Sequence, residues 1–384
     1  MKKSVIIAVI VVVVVVAGGA AWLFLSRPPT PVTPPTPPTP PGPMVPPGRA
    51  TWRIATCGVG SIGYIAHAAT ADIINRQYPE WFSISVTVAG CAAAGHAAWD
   101  AGRAEMGYTA LNVVYQYMTK TGRWAPGVAT PRRAGEMSVI MYQYPIIYTI
   151  FVTEDLAGKV KCWKDIKDVG AGIFPTPVPF ASHEVFKEVF SILYDVDPED
   201  IYKVLRLEIM DVGGVGDAIT LGRVKIVWGY GDPGGPASWV AESFAKVGYR
   251  LVAVPPSPEE LSLLLARSGS LVPFTMNLTP YNVKTADGKT LIDVVAVPFG
   301  FVGSSRELSK EHVYYFFKTH FTNATAFEKA LATFTGFSKW GLEFNIKAFQ
   351  VQSKYGAPIH PGVALYLKEL GYNLEELGIL VAER

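Results

Sequence analysis

The residues of this sequence that could do chemistry lie in loops of glycine, cysteine and tyrosine, not in catalytic clusters. Cys57-Gly58-Val59-Gly60-Ser61-Ile62-Gly63 matches G-x-G-x-x-G, with Thr56 before it and Tyr64 after it. Such a loop lets backbone approach a ligand, and the following helix start attracts anions. A dinucleotide site also needs an acidic residue closing the second strand. Val88-Ala89-Gly90-Cys91 has none, so a dehydrogenase is not expected. Position 59 is Val where a G-x-S-x-G elbow needs glycine, and no carboxylate pair or Cys–His spacing stands in the candidate loops. We therefore expect no enzyme and no catalytic residue. There is no CxxC or HExxH and the six histidines are scattered, so neither metal nor cofactor is expected.

The elements around these loops alternate. Trp52–Thr56 reads as a strand, and Ile65, Ala69 and Ile73 mark one face of a helix closing at Pro79. Phe82, Ile84, Val86 and Val88 alternate with polar residues as a second strand, residues 92–102 form an Ala-rich helix, and Met106–Thr109 is a third strand. This pattern predicts a parallel, doubly wound sheet. The aromatic stretch 138–153 is long enough to run between two lobes. A second α/β set follows: strand 172–174, helix 183–194, strand Val204–Met210, a helix near Asp217 and strand 226–230. Strand 293–303 brings the chain back, and Ser309 caps a helix over 311–321. Two such crossings would define a cleft at the strands' carboxyl ends.

Of 384 residues, the first 50 are not globular, which leaves about two domains' worth of chain. Formal net charge is +2, so no basic field exists to hold nucleic acid. Val5 to Leu25 carries no charge, which suits a membrane-spanning helix. A cleaved signal segment is the alternative, with Gly18-Gly19-Ala20-Ala21 as small residues near a cut. Lys2 and Lys3 stay inside, so either way the chain after Arg27 lies outside the cytoplasm. Residues 28–47 hold twelve prolines and four threonines and read as a stiff polyproline stalk. Cys57, Cys91 and Cys162 are the only cysteines, so an oxidising compartment permits one internal pair at most.

Six motifs in order carry a resemblance. Ala55–Tyr64 looks like the GTGGxGGxYY opening of the TAXI family of TRAP-transporter solute receptors. Gly102-Arg103-Ala104-Glu105-Met106-Gly107 resembles its "sGeadlG", and Gly222-Arg223-Val224 leads to Gly229-Tyr230-Gly231-Asp232-Pro233 in place of "Gk.Da…G.P". Pro280-Tyr281 resembles its Tyr loop. Ala296-Val297-Pro298 precedes a Val313-Tyr314 helix, and Pro358–Gly362 with Tyr366 resembles "PlHPGA..YY". The resemblance spans 52–372. It implies a type II periplasmic-binding-protein-like fold: two doubly wound α/β lobes joined by two hinge crossings, behind an N-terminal transmembrane helix and Pro-rich stalk. The boundaries would be 1–27 anchor or signal segment, 28–50 linker, 51–150 plus 290–384 lobe 1, and 151–289 lobe 2. It further implies an extracytoplasmic receptor that binds a small organic acid or amino acid for a TRAP-type permease. A sensory module working through another protein is the alternative, with an extracellular enzyme behind it.

The departures from the family are also informative. Cys91-Ala92-Ala93-Ala94-Gly95 replaces Gly-Ser-x-x-Asn, Asn112 stands for a common Asp, and Phe174–Ser182 replaces "GSGT" with a Pro-rich loop. The ligand-binding residues expected are Thr56, Cys57, Gly58, Gly60, Ser61 and Tyr64 in the first loop, and Cys91, Ala92, Tyr108 and Asn112 in the next two. Thr176, Ser182, Tyr230, Asp232 and Tyr281 are expected from the second lobe. No Arg or Lys lies in Cys57–Tyr64, Gly90–Gly95, Tyr108–Asn112 or Phe174–Ser182, so helix-start N–H groups would hold an anion. Cys57 and Cys91 end neighbouring strands, as a disulfide or as two small buried thiols. His360 reads as a structural, hydrogen-bonded histidine.

Overall fold

The computed structural model describes residues 45–177 and 181–383. The apolar run 5–25 and most of the Pro-rich segment lie outside them. Among the described residues no helix is long and apolar enough to cross a membrane.

Among the described residues eleven strands form one mixed sheet. They are β1 (Ala50–Thr56), β2 (Phe82–Val88), β3 (Met106–Ala110), β4 (Met137–Thr153), β5 (Ile173–Phe174), β6 (Ile226–Asp232), β7 (Gly235–Pro236), β8 (Leu251–Val254), β9 (Val272–Asn277), β10 (Lys284–Thr285) and β11 (Leu291–Ser304). The order β10-β8-β4-β11-β3-β1-β2 forms its spine, with β6 on β4, β5 and β7 on β6, and β9 on β11. Parallel pairing holds where expected, in β1/β2, β1/β3 and β5/β6. The expectation of an all-parallel sheet is corrected by β4 and β11. These long strands run in opposite directions through the sheet and meet each other, β3, β6, β8 and β9 antiparallel.

The chain changes partners along these two strands. Residues 299–303 of β11 bond to β3, whereas 147–152 of β4 bond to β6. All but two residues of β4 are buried, so its long apolar run has no solvent face. The expected strand Val204–Met210 does not form. Ile201–Val204 is a helical turn, and only Leu207 bridges to Ile173, because β5 is two residues long and offers no ladder to extend.

The helices that matter here are α1 (Ile62–Gln77), α2 (Cys91–Asp100), α3 (Leu111–Thr119), α4 (Ala181–Tyr194), α5 (Lys310–Thr322) and α6 (Pro361–Glu369). Ser61 caps α1 and Ser309 caps α5, each hydroxyl accepting from the N–H three residues on. His360 caps α6, accepting from Gly362 N–H and bonding Leu308 O through Nε2 at 3.1 Å. A buried polar chain ties α1 to the sheet. Thr56 Oγ1 lies 2.5 Å from His67 Nδ1, and Gln143 Nε2 reaches both Thr70 Oγ1 (2.6 Å) and His320 Nε2 (2.9 Å). Burial holds His67, His96 and His320 down to about 3, so all three are neutral in the folded protein.

Candidate functional site

Because β1 and β2 pair in parallel with Thr56 opposite Val88, their exit loops emerge side by side. The two chain ends are bonded there: Cys57, after β1, and Cys91, at the start of α2, form a disulfide. Helix α2 then lies directly on the sheet. A Cβ added at Gly95 would stand 2.6 Å from Ala55 O and 2.8 Å from Tyr108 O, so only glycine permits this approach. Tyr108 is held from the other side as well, since a Cβ at Gly63 would sit 3.1 Å from its ring and from Cys57 Sγ.

These contacts bring the starts of α1, α2 and α3 to one cavity of about 800 Å³, which α4 and β6 close from across the sheet. None of α1, α2 and α3 has an acidic residue in its first turn, and no side chain caps α2 or α3. The positive ends of α2 and α3 therefore face the cavity uncapped, and that of α1 carries only the neutral Ser61 cap. Asn112, in the first turn of α3, is 7% exposed, and its Oδ1 has no partner among the described residues. Two non-glycine residues take left-handed backbone next to this space: Cys91 (φ 72°) and Thr176 (φ 73°). Such strain collects at ligand sites.

The floor is aromatic. Tyr144, Ile146 and Tyr148 line the cavity with the period of two that puts them on one face of β4, and Phe299 of β11 joins them. Tyr108 and Tyr144 share a hydroxyl–hydroxyl bond of 2.6 Å, and the Tyr144 and Phe299 rings stack at 5.9 Å and 6°. Burial pushes the phenols of Tyr108, Tyr144, Tyr148 and Tyr230 upward, so they stay protonated and able to donate.

Of the residues expected at the site, Cys57, Ser61, Cys91 and Ala92 line this cavity, with Tyr108, Asn112, Ser182 and Tyr230. The others stand elsewhere. The Thr56 hydroxyl is engaged by His67, and Gly58, Gly60 and Tyr64 lie off the wall. Thr176 is buried behind it, with Oγ1 3.0 Å from Ser182 Oγ. Tyr281 belongs to the core, its hydroxyl donating to Gly235 O and its ring against Phe151. Asp232 lines a second, smaller cavity. The Ser61 N–H expected to meet a ligand donates to Gly58 O instead at 3.2 Å.

Sequence reasoning missed five wall residues that matter: Tyr144, Tyr148, Phe299, Arg123 and Glu184. The first three were legible, since strands that cross between lobes must offer one face to the cleft. Arg123 follows Gly122 in a short turn after α3, and no periodicity announces it. It lies outside the four loops named above, which hold no basic side chain, and adds one to the wall. Among the described residues no metal-ligating cluster occurs.

No curated protein matches the chain by sequence. Solved structures that align with it include the periplasmic aliphatic sulphonate binding protein SsuA from Escherichia coli. That alignment is 12% identical, covers 83% of each chain and has a TM-score of 0.37. A TRAP periplasmic solute binding protein from Roseobacter denitrificans, with bound beta-D-glucuronate, is 12% identical over 86% of this chain and 98% of that one (TM-score 0.36). Immunogenic lipoprotein A from Vibrio vulnificus is 11% identical over 72% and 99% (TM-score 0.35). These overlays are loose, and the family placement rests on sequence alone. The pattern of the NMT1-like family matches residues 54–371. The protein therefore belongs to the NMT1-like family, whose members are substrate-binding proteins and not enzymes.

Proposed function

We propose that the protein is an extracytoplasmic solute receptor of the TAXI type, which captures a small organic acid or amino acid and delivers it to a TRAP-type secondary transporter. The observation that carries this reading is the larger cavity, where the uncapped starts of α2 and α3, the Ser61-capped start of α1 and the unpartnered acceptor Asn112 Oδ1 meet on a tyrosine floor. Lobe 1 would comprise 51–150 plus 290–384 and lobe 2 would comprise 151–289, with β4 and β11 as the crossings. The apolar run 5–25 would anchor the receptor outside the cytoplasm, and the Pro-rich segment would hold it clear of the membrane.

A thermal-shift screen of organic acids and amino acids against residues 48–384 tests the reading. A ligand that binds the folded state alone raises the melting temperature by linkage. The expected result is stabilisation that Asn112→Leu abolishes, with compaction in solution scattering. Stabilisation unaffected by Asn112→Leu would place the ligand elsewhere and sink the assignment.

A further inference from the structure

Resting on the larger cavity being the solute site, we infer that Gly269, seated on the ring of Tyr115, is a positioning residue that sets how far apart two walls of that cavity stand. Helix α3 carries one wall at its start, in Asn112 and Val113, and α4 carries another, in Ser182 and Glu184. The same two helices are joined again one turn further on, through groups that do not line the cavity. Tyr115 stands three residues after Asn112 and Glu188 four after Glu184, the spacings that stack side chains on one helix face. The loop Ser268-Gly269-Ser270 runs from one to the other.

The loop is tied to α4 by hydrogen bonds. Ser268 Oγ and Ser270 Oγ donate to the two carboxylate oxygens of Glu188 at 2.5 and 2.6 Å. Ser268 Oγ also accepts from the N–H groups of Ser270 and Leu271 at 3.0 and 3.1 Å, which fixes the turn itself. Its contact with α3 is made by packing alone. A Cβ built on Gly269 would lie 2.4 Å from Tyr115 Cδ2 and 2.5 Å from Cε2, closer than real Cβ atoms come. The ring is itself held, edge-on against Tyr355 with centroids 5.2 Å apart at 81°. Backbone therefore rests directly on the ring face, and only glycine permits that approach. Close-packed groups pass a displacement on instead of absorbing it. A methyl group at position 269 would push α4 away from α3, and the helix starts one turn up would part with it. A solute that must touch both walls would then lose one of them.

The test is the distance between two nitroxide spin labels on the full chain in detergent, with no solute added. The labels go on Arg103→Cys, just before β3, and Glu242→Cys, in the segment 151–289 that holds α4; both positions are exposed. Cys162→Ser removes the free thiol and keeps a capping residue there. In this background Gly269→Ala should shift the mean distance to longer values. Gly158→Ala, whose Cβ would meet nothing within 4 Å, should leave it unchanged. Tyr115→Ala should broaden the distribution by removing the seat, and Gly269→Ala should then add no further shift, because its methyl group has nothing to meet. A folded Gly269→Ala protein with the parent distance would overturn the inference. A shift of the same size in Gly158→Ala, or on adding Gly269→Ala to Tyr115→Ala, would overturn it too. Where Gly269→Ala does not fold, Tyr115→Ala decides: a broadened distribution supports the seat and an unchanged one sinks it. Because no solute is present, all of these outcomes leave the receptor reading to its own thermal-shift screen.

Discussion

Two cavities among the described residues are both lined by charge and aromatic rings, yet their polar groups are in opposite conditions. In the smaller one, of about 540 Å³, each anchor is already engaged. Asp232 accepts from Thr333 Oγ1 and Gly234 N–H, both at 2.8 Å, and Asp293 accepts from Thr275 Oγ1 at 2.8 Å. Glu343 pairs with Lys347 at 2.7 Å, and Trp340 Nε1–H donates to Thr335 O at 2.9 Å. In the larger cavity the buried Asn112 Oδ1 and the uncapped starts of α2 and α3 hold bonding capacity that the protein itself does not satisfy. Leaving a buried polar group unmatched is costly. This difference supports the larger cavity, over the smaller one, as the proposed solute site.

The broadest way to sharpen the contrast is pH. His67, His96 and His320 are held down to about 3 by burial, whereas the unfolded chain takes up these protons near 6.5. Stability is therefore whole above pH 6.5 and is lost as pH falls toward 3, by on the order of 1 kcal/mol per pH unit for each histidine. Denaturant midpoints across pH 4–7 will show this slope, and His96→Gln will flatten it by about a third. A second effect is confined to the larger cavity. Replacing Cys57 and Cys91 by Ser opens a loop with a sequence separation of 34 and should cost roughly 2–4 kcal/mol in unfolding measurements. Solute affinity should fall with it, because both cysteines sit on the wall.

The third test can break the comparison outright. Asn112→Leu should weaken solute binding by roughly 1–3 kcal/mol in calorimetry, while Asp293→Asn in the smaller cavity leaves affinity unchanged. The reverse result would exchange the roles of the two cavities. The smallest effect belongs to Asp232, whose carboxyl is raised by burial against the pull of Thr333 and Gly234. The folded carboxyl keeps its proton where the unfolded one has lost it, so this group lowers stability as pH rises past the ordinary 3.8. Asp232→Asn should remove that slope, seen as a melting temperature that varies less between pH 4 and 6.

Much of the fold was legible because its patterns are local. The first strands and helices carry clear two- and four-residue periods, and Ser309 sits where the cap of α5 is found. Val204–Met210 carries the same alternation and still fails as a strand, because pairing depends on a neighbour, and β5 is too short to serve. The site divided along the same line. Cys57, Cys91 and Asn112 follow strands whose ends must converge, so their place could be derived. Ser61 does line the cavity, although its N–H is spent on Gly58, whereas the Thr56 hydroxyl was assigned to a ligand and belongs to His67. Sequence shows a polar group but not which internal partner reaches it first. Asp232 and Tyr281 lie in motifs near the wall yet face another cavity and the core, a matter of side-chain direction that no spacing records.

One detail of the sheet bears on how filling the cavity would be felt at a distance. The β11–β4 ladder shifts register between Phe299 and Gly300 and again between Phe301 and Val302. Bulges interrupt the ladder and concentrate bending. Phe299 lies opposite Tyr144 in that ladder, so the rings of the floor stand at its most compliant point. A load placed on those rings acts at the fulcrum of the sheet, where a small displacement gives the largest swing of the strands beyond it.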